Sequence, residues 1–403
     1  MGYGVARAGP GRVGRRTLYS AGMIIRFVFF ITFWAGLNAF LTWRFLAGWD
    51  VPRGIKIAFC LLVIGGLVVT PLAFTIGTPW LKTVAFLMMG FLFLAYTLIV
   101  LRDLALIVMW LCNKYNLLPD LVSPERRALF KDAANWGVLA GASSVGLAAA
   151  VNARQMPDIQ EVSVPIKNLP EALEGFSIAQ VSDIHIGSTV RAEKIAHIAE
   201  QVQQLKPDMY VITGDLIDGS VSDLGEQVKT LLNVATPHGT YFCTGNHEYY
   251  SGALRWCDFL EQQGVKVLNN AHDVIEVPGG KIMMAGVTDL HGARFIESHR
   301  CQPGLACEGA PEDADVKILL AHQPKVAFLT ERGQYDLQLS GHTHGGQYFP
   351  YNFLIHLVQK YVAGLYRHED MWVYVNRGTT FWGPPMRLGP EQEITLLKLR
   401  RLA

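Results

Sequence analysis

The sequence predicts an α/β domain with a core of two mixed sheets and helices outside, preceded by an α-helical transmembrane region. Three observations predict this organisation. Long stretches without charge occupy the first third of the 403 residues. Short apolar runs rich in β-branched residues then alternate with segments of helical spacing, which indicates βαβ units. Polar groups directly follow five of the short runs, at the carboxyl ends of strands, where open α/β sheets bind ligands.

The overall composition indicates a membrane portion and does not suggest a nucleic-acid partner. The mean hydropathy is positive, at +0.22, and charged residues make up only 17% of the chain. Both values are unusual for a soluble enzyme. The formal net charge is +1, so the chain lacks the strongly basic field that is typical of nucleic-acid-binding proteins.

The first 112 residues divide into a tail and three apolar segments. Residues 1–22 are rich in Gly and Arg and are predicted to be a flexible basic tail, and residues 23–112 are predicted to hold three transmembrane helices. The segments are Ile24–Phe45, Ile55–Ile76 and Val84–Leu101, the last extending towards Cys112. Each is long enough to cross about 30 Å of hydrocarbon. Arg102 and Asp103 end the third segment, either as an intramembrane ion pair or as a marker of the membrane interface.

Residues 113–153 are predicted to form a polar loop followed by a fourth apolar helix, Ala134–Val151. The run 123–131 places Arg126-Arg127 ahead of this weakly hydrophobic segment, as in a twin-arginine export signal. Two residues separate the arginine pair from Phe130, which departs from that pattern. An ordinary fourth membrane helix with basic flanks explains the same residues, and both interpretations stay open.

Lysine and arginine counts in the predicted loops favour an extracytoplasmic catalytic domain by a small margin, because cytoplasmic loops are enriched in these residues. With the N-terminus outside, eight fall inside: Arg44, Arg53, Lys56, Arg102, Lys114, Arg126, Arg127 and Lys131. Six then fall outside: Arg7, Arg12, Arg15, Arg16, Lys82 and Arg154. The basic tail argues for the reverse orientation. In either orientation we expect a multi-pass integral protein of a bacterial-type plasma membrane.

Residues 154–403 are predicted to form the catalytic α/β domain. Prolines interrupt any helix in its first twenty residues, which are expected to hold a linker and the first strand. Apolar residues at helical spacing predict three helices: Ile195, Ile198, Ala199, Val202 and Leu205, then Leu224, Val228, Leu231 and Leu232, then Trp256, Phe259 and Leu260. Further strands are predicted at Lys281–Ala285, Trp372–Val375 and Ile394–Leu399.

Five short polar stretches supply the candidate functional residues, and each follows a run that predicts a buried strand. The runs are Ser177–Val181, Met209–Ile212, Thr240–Cys243, Val316–Leu320 and Leu337–Leu339. The stretches are Asp183-Ile184-His185, Gly214-Asp215-Leu216-Ile217-Asp218, Gly245-Asn246-His247-Glu248, Ala321-His322 and Gly341-His342-Thr343-His344. Together they hold seven oxygen and nitrogen ligands, enough for two metal ions, and one further histidine.

The types of ligand narrow the choice of metal. Histidine, aspartate and asparagine without a thiolate suit Mn, Fe, Zn or Mg and disfavour a structural zinc–thiolate site. An aspartate can bridge two ions that lie about 3.5–4 Å apart. Such a pair orients a phosphate, lowers the pKa of a bound water and neutralises charge in the transition state. The sequence therefore indicates hydrolysis of a phosphate ester with two divalent metal ions as cofactors.

The order Asp-x-His, Gly-Asp-x-x-Asp, Gly-Asn-His-Glu, His and Gly-His-x-His resembles the calcineurin-like metallophosphoesterases, from about Val162 to the C-terminus. The resemblance implies a four-layer α/β/β/α fold. It implies that one metal is held by Asp183, His185 and His344 and the other by Asn246, His322 and His342, with Asp215 as the bridge. His247 would bind no metal but would assist at the phosphoryl or leaving-group oxygen as the catalytic residue. Mn is the preferred metal.

The stretches Asn246–Gly252 and Gly341–Gln347 resemble a narrower, membrane-associated branch of that family. This branch includes some UDP-2,3-diacylglucosamine hydrolases of lipid A synthesis. Its likeness implies a lipid-linked substrate for this chain.

Several residues near the motifs have a supporting or an open role. Asp218 and Glu248 are expected to support the ligand loops without binding metal. His291 follows a predicted strand and either lines the site or is an ordinary surface residue. Cys301 and Cys307 lie in one loop and either form a small disulfide or remain free thiols.

The segment Tyr348–Tyr366 is unusually apolar for a position directly after a polar site. Two interpretations are open. The segment is either an ordinary packed helix that covers the edge of the sheet, or a lip that receives an acyl chain from the bilayer.

These observations predict a membrane-anchored dinuclear metal phosphoesterase. Its expected partners are the lipid bilayer and a phosphodiester or pyrophosphate substrate of a lipid-linked kind, such as UDP-2,3-diacylglucosamine or a phospholipid. One alternative is a broad phosphodiesterase of soluble substrates with the helices as a tether. Another is a membrane sensor with an inactive site, which the complete ligand set disfavours. The sequence does not specify an oligomeric state.

Overall fold

The computed structural model describes residues 32–47, 49–115, 117 and 124–402. The predicted basic tail, residues 1–22, and the start of the first apolar segment lie outside these ranges. The described chain divides by its internal contacts into two compact units. The first comprises the described parts of residues 1–71 and 95–140, and the second those of residues 72–94 and 141–403.

Four helices precede the first strand in the described part of the chain. Residues 32–46 are helical and are called α1 here. The others are α2 (Arg53–Ile76), α3 (Pro79–Lys114) and α4 (Pro124–Asn152). Three stretches in α2, α3 and α4 are long and apolar enough to span a membrane: Arg53–Ala73, Pro79–Lys114 and Ala128–Asn152. Because α4 begins at Pro124, residues 124–131 of the twin-arginine-like run form helical turns and not a loop.

Arg102 and Asp103 lie inside α3 and not at its end. The buried guanidinium of Arg102 donates to the Asp103 carboxylate at 2.6 and 2.9 Å. It also donates to Oδ1 of Asn135 on α4 at 2.6 Å. Arg44 on α1 donates to the other oxygen of Asp103 at 2.9 Å. The two residues therefore form an ion pair within the first unit.

Two six-stranded mixed sheets form the core of the predicted catalytic domain. The first has the order β1 (Asp158–Ile166), β12 (Glu393–Arg401), β2 (Ser177–Val181), β3 (Met209–Ile212), β4 (Thr240–Phe242) and β5 (Lys266–Val267). The second has the order β10 (Gly364–His368), β11 (Met371–Val375), β9 (Leu337–Ser340), β8 (Val316–Leu320), β7 (Gly280–Gly286) and β6 (Ala271–Val277). Strands β2, β3 and β4 are parallel in one sheet, and β8 and β9 are parallel in the other.

The helices of this domain lie outside the two sheets. They are α5 (Ala192–Leu205), α6 (Val221–Leu232), α7 (Asn246–Ser251), α8 (Ala253–Gln262), α9 (Pro303–Ala306) and α10 (Tyr351–Leu354). Short 3₁₀ turns add Glu171–Leu173, Gly292–Arg294, Glu297–His299, Pro324–Leu329, His344–Gly346 and Ile355–Leu357.

The hydrophobic core has three parts, one between the sheets and one on each outer face. Ile178, Ile318 and Leu397 are fully buried together where the two sheets face each other. Helices α5, α6 and α8 pack on the free face of the first sheet. The free face of the second sheet is covered by α9 and the 3₁₀ turn Pro324–Leu329. The four-layer prediction is thus confirmed, with an outermost layer made of short helices.

The structure decides two alternatives that the sequence left open. The segment Tyr348–Tyr366 is not one packed helix: it forms α10, a 3₁₀ turn and the start of β10. Within it Ile355 is buried, whereas Leu357 is 82% exposed. Cys301 and Cys307 are both free thiols, which is the second of the two alternatives for this loop.

We expect Leu397→Ala to lower the free energy of unfolding by about 2–5 kcal/mol, because it removes side-chain volume from the fully buried layer between the sheets. Leu402→Ala is the matched control, since Leu402 is 55% exposed just after the same strand. Thermal unfolding of the full chain in nanodiscs, followed by tryptophan fluorescence, measures both. Equal melting temperatures for the two variants would contradict this account of the core.

Candidate metal centre

The predicted ligand residues follow the carboxyl ends of five strands, drawn from both sheets. In the first sheet, β2 leads to Asp183 and His185, β3 to Asp215, and β4 to Asn246. In the second sheet, β8 leads to His322, and β9 to His342 and His344. Because these strands are parallel within each sheet, their carboxyl ends meet at one edge. The fold thus brings distant parts of the sequence to one place.

Asp183, His185 and His344 form the first group of potential ligands. Nε2 of His344 lies 3.3 Å from Oδ1 of Asp183 and 3.3 Å from Nε2 of His185. The ligand atoms of the three residues all lie within 4.8 Å of one another, and all three side chains are buried. One divalent cation fits among one carboxylate and two imidazoles of this kind.

Asp215, His322 and His342 form the second group. Nε2 of His322 lies 3.1 Å from Oδ2 of Asp215 and 3.2 Å from Nδ1 of His342. The same Oδ2 atom lies 3.9 Å from Nε2 of His185 in the first group. The Asp215 carboxylate therefore faces both groups, which is the position that a bridging ligand needs.

The side-chain oxygen of Asn246 favours a cation at this site. Its side chain lines the same cavity as Asp215 and His342. Its Oδ1 atom is buried, and no described residue donates a hydrogen bond to it. A buried acceptor without a donor is costly, whereas a metal ion beside it would satisfy the oxygen. The residues present therefore fit the two divalent ions that the sequence predicts.

The charges of Asp183, Asp215, His342 and His344 suit metal binding, whereas the pKa of His322 is the exception, because Asp215 outweighs burial and raises it well above its usual value. Burial by itself would raise the pKa of Asp183 and Asp215, but the neighbouring histidines outweigh burial and hold both pKa values well below their usual range. Burial lowers the pKa of His342 and His344 to about 4. Ionised carboxylates and neutral imidazoles are the forms that bind metal ions.

Five of the seven candidate ligands line a cavity of about 330 Å³: His185, Asp215, Asn246, His342 and His344. Its polar part is formed by these ligand candidates together with His247, Thr343, Gln347 and Gln359. The remaining lining is largely aromatic or aliphatic and includes Phe93, Tyr348, Ile355 and Trp382. His291 does not line this cavity; it lies beside Asp289 and Gln323 instead.

Comparison with known proteins agrees with this geometry. The chain matches the model of the calcineurin-like phosphoesterase family over residues 176–346. Residues 176–346 are a calcineurin-like phosphoesterase domain.

Relatives of this metallophosphoesterase domain occur in animals and bacteria. A transmembrane protein with metallophosphoesterase domain from Danio rerio is 39% identical over 62% of this chain and 59% of the relative. The protein of the same name from Bos taurus is 40% identical over 64% of this chain and 60% of the relative. An uncharacterized metallophosphoesterase of Campylobacter jejuni is 38% identical over 62% and 65%. The matches span about three-fifths of the length of the first two relatives.

Asp218 links the predicted metal ligand His185 to His247. One carboxylate oxygen lies 3.2 Å from Nδ1 of His185, and the other accepts a very short hydrogen bond from Nδ1 of His247. Both rings are thereby oriented with Nε2 towards the centre of the site, where Nε2 of His247 lies 4.0 Å from Oδ2 of Asp215. The sequence predicted a supporting role for Asp218, and the structure identifies the two imidazoles that it supports.

Glu248 fixes the loops around Asp215. Its fully buried carboxylate accepts hydrogen bonds from the backbone N–H groups of Gly245 at 2.6 Å, Leu216 at 2.8 Å and Asp215 at 3.0 Å. Burial and the nearby Asp215 charge raise the pKa of Glu248 to about 7. The predicted role of this residue in loop support agrees with these three contacts.

Arg387 is a component of the site that sequence reasoning missed, and it lies beyond the matched family region. Its fully buried guanidinium donates to the carbonyl oxygens of His344 at 2.9 Å and Thr380 at 3.0 Å. Trp382, also missed, lies with its ring centroid 5.9 Å from that of His247. Neither residue belongs to a recognisable motif. The prolines and glycines around Arg387 do not indicate which carbonyl groups its side chain will contact.

We expect Asp218→Asn to lower both metal affinity and turnover about 10- to 100-fold, because the amide cannot accept from both imidazoles in the same way. Asp223→Asn, at an exposed position on α6, is the control with the same chemical change. Hydrolysis of bis(p-nitrophenyl) phosphate over a metal titration measures both quantities. Wild-type metal affinity and turnover in Asp218→Asn would refute the orienting role.

Proposed function

We propose that the chain is a membrane-anchored, dinuclear metal-dependent phosphoesterase. The observation that carries this proposal is the convergence of two ligand groups on one carboxylate, that of Asp215. Asp183, His185 and His344 would hold one divalent ion, and Asn246, His322 and His342 the other. Mn is preferred, with Fe, Zn and Mg as alternatives. Such a pair supplies an activated water and neutralises charge on the phosphate.

His247 has the position of a proton donor in this proposal. Its ring lines the cavity, and its Nδ1 atom forms a hydrogen bond with the carboxylate of Asp218. Burial lowers the pKa of His247, but the hydrogen bond to Asp218 and the charges of Asp215, Asp218 and Glu248 outweigh burial and raise the pKa to about 9. A protonated imidazole at this point can donate to the leaving-group oxygen and stabilise the charge that develops there.

The proposed substrate is a phosphodiester or pyrophosphate with a lipid portion, of the UDP-2,3-diacylglucosamine or phospholipid type. The apolar part of the cavity wall supports this choice, because a small soluble ester has no hydrocarbon portion that would pack against it. The membrane-type helices and the relatives named transmembrane proteins support it as well. A broad phosphodiesterase of soluble substrates, with the helices as a tether, is the second candidate. An inactive sensor is disfavoured because the complete ligand set is retained.

The proposed location of the catalytic domain is the outer side of a bacterial-type plasma membrane. The small excess of basic residues in the predicted inner loops supports this orientation. We expect alkaline phosphatase fused after Ala403 to be active in cells and a fluorescent protein at the same site to be dark. The reverse result would place the domain in the cytoplasm, where nucleotide-activated lipids are available.

Two substitutions test the catalytic assignment. His247→Ala should lower turnover about 10²- to 10⁴-fold while the purified chain retains its metal. Asp215→Asn should lose metal and activity together. Metal analysis beside hydrolysis of bis(p-nitrophenyl) phosphate measures both, with the partly exposed His197→Ala as the control. A fully loaded and active Asp215→Asn enzyme would disprove the bridging role, and absence of hydrolysis by wild type with every metal would favour the sensor.

A further inference from the structure

One wall of the catalytic cavity comes from a membrane-type helix. Phe93 lies on α3, in the part of that helix that belongs to the same compact unit as the catalytic domain. Its ring meets Tyr348 edge to face, with the ring centroids 5.9 Å apart. Tyr351, Ile355, Trp382 and Pro384 complete the apolar part of the lining. The cavity therefore has a polar part that suits a phosphate and an apolar part that suits hydrocarbon.

The position of Phe93 is fixed by close packing of the helix backbone. At Gly90, one turn earlier and on the same face, an added Cβ would lie 2.6 Å from Sδ of Met386 and 3.0 Å from Cβ of Pro384. Leu94 and Ala149 are buried against Met386 as well. Helix α3 packs directly against the loop that carries Trp382 and Pro384. This packing fixes the position of Phe93 in the cavity wall.

The apolar lining continues outward onto an exposed surface. We call the segment Tyr351–Val358 the apolar rim. Five of its large hydrophobic side chains are more than two-fifths exposed, and Leu357 is the most exposed at 82%. Ile355 from the same segment is buried and lines the cavity. The segment contains no acidic residue, lysine or arginine. Soluble monomers rarely expose continuous apolar surface of this kind unless it binds something.

We infer that Phe93, Tyr348, Ile355 and Trp382 form a subsite for the hydrocarbon tail of the substrate, and that the tail leaves over the apolar rim. This inference rests on the proposed lipid-linked substrate and adds the residues that select it. The phosphate lies at the metal ligands while the first methylene groups of the tail contact the aromatic wall. Phe93 is then a specificity-determining residue contributed by a membrane-type helix.

A series of p-nitrophenyl alkyl phosphodiesters that differ only in tail length tests the subsite, because the leaving group stays constant. The full chain in nanodiscs of phosphatidylcholine and phosphatidylglycerol is assayed with methyl, butyl and octyl esters. For wild type we expect kcat/KM to rise roughly 2- to 4-fold for each methylene group that enters the subsite. Phe93→Ala should reduce the ratio of octyl to methyl kcat/KM by about 5- to 30-fold.

Val84→Ala provides the matched control, because Val84 lies on the same helix, is 40% exposed and does not line the cavity. It should keep the wild-type ratio. Phe93→Trp supplies a second variant that fills the subsite, and it should shift the preference towards shorter tails. If Phe93→Ala fails to fold, as judged by metal content, Phe93→Trp decides the question.

The outcomes separate the two proposals. A wild-type enzyme without any dependence on tail length would refute the lipid-linked substrate and the subsite with it. A wild-type enzyme that prefers long tails, together with Phe93 variants that match Val84→Ala, would refute the subsite alone. A reduced ratio in Phe93→Ala and a shifted preference in Phe93→Trp would establish the subsite.

Discussion

The candidate metal centre depends on a backbone constraint: each strand must end and turn at once, so that the following side chain points back to the edge of the sheet. Five of the seven predicted ligands have a positive φ, between 49° and 72°: Asp183, His185, Asp215, His342 and His344. Residues other than glycine rarely adopt this left-handed conformation, which costs of order 1–3 kcal/mol each. Such strain persists only where the surrounding structure holds the backbone in place.

Buried carboxylates provide much of that support. Glu248 binds three backbone N–H groups on two loops. Asp183 accepts from the backbone N–H of His342 at 2.9 and 3.1 Å, and this contact joins a loop of the first sheet to a loop of the second. Asp215 accepts from the backbone N–H of His247 at 2.9 Å. The carboxylates of Asp183 and Asp215, which are predicted metal ligands, thus also fix the turns, which makes the candidate ligand array preorganised.

The strands and ligand loops could be predicted from the sequence because both have local signatures. A polar motif placed directly after an apolar run indicates a functional site, and five such motifs in this order leave few alternative functions. Arg387 could not be predicted, because its partners are backbone carbonyl groups that only the fold brings near. The start of α4 was missed for another reason: the charged run after Pro124 reads as a loop, although proline and Glu125 in the first turn suit a helix start. The packing of Phe93 against Tyr348 could not be predicted either, because no sequence pattern links these two parts of the chain.

A simple tether would require only a flexible connection between the membrane-type helices and the catalytic domain. The structure shows hydrogen bonds between the end of α4 and the catalytic domain instead. The backbone N–H of Arg387 donates to the carbonyl oxygen of Ala149 near the end of α4 at 2.8 Å, while its side chain holds the carbonyl oxygen of His344. The buried Lys194 donates to the carbonyl oxygens of Ala153 at 3.0 Å and Gln155 at 2.7 Å. One arginine therefore connects the end of α4 to a predicted metal ligand. Any displacement of that helix end would be transmitted to the backbone of His344, so the geometry of the site depends on chain segments on both sides of the phosphoesterase domain.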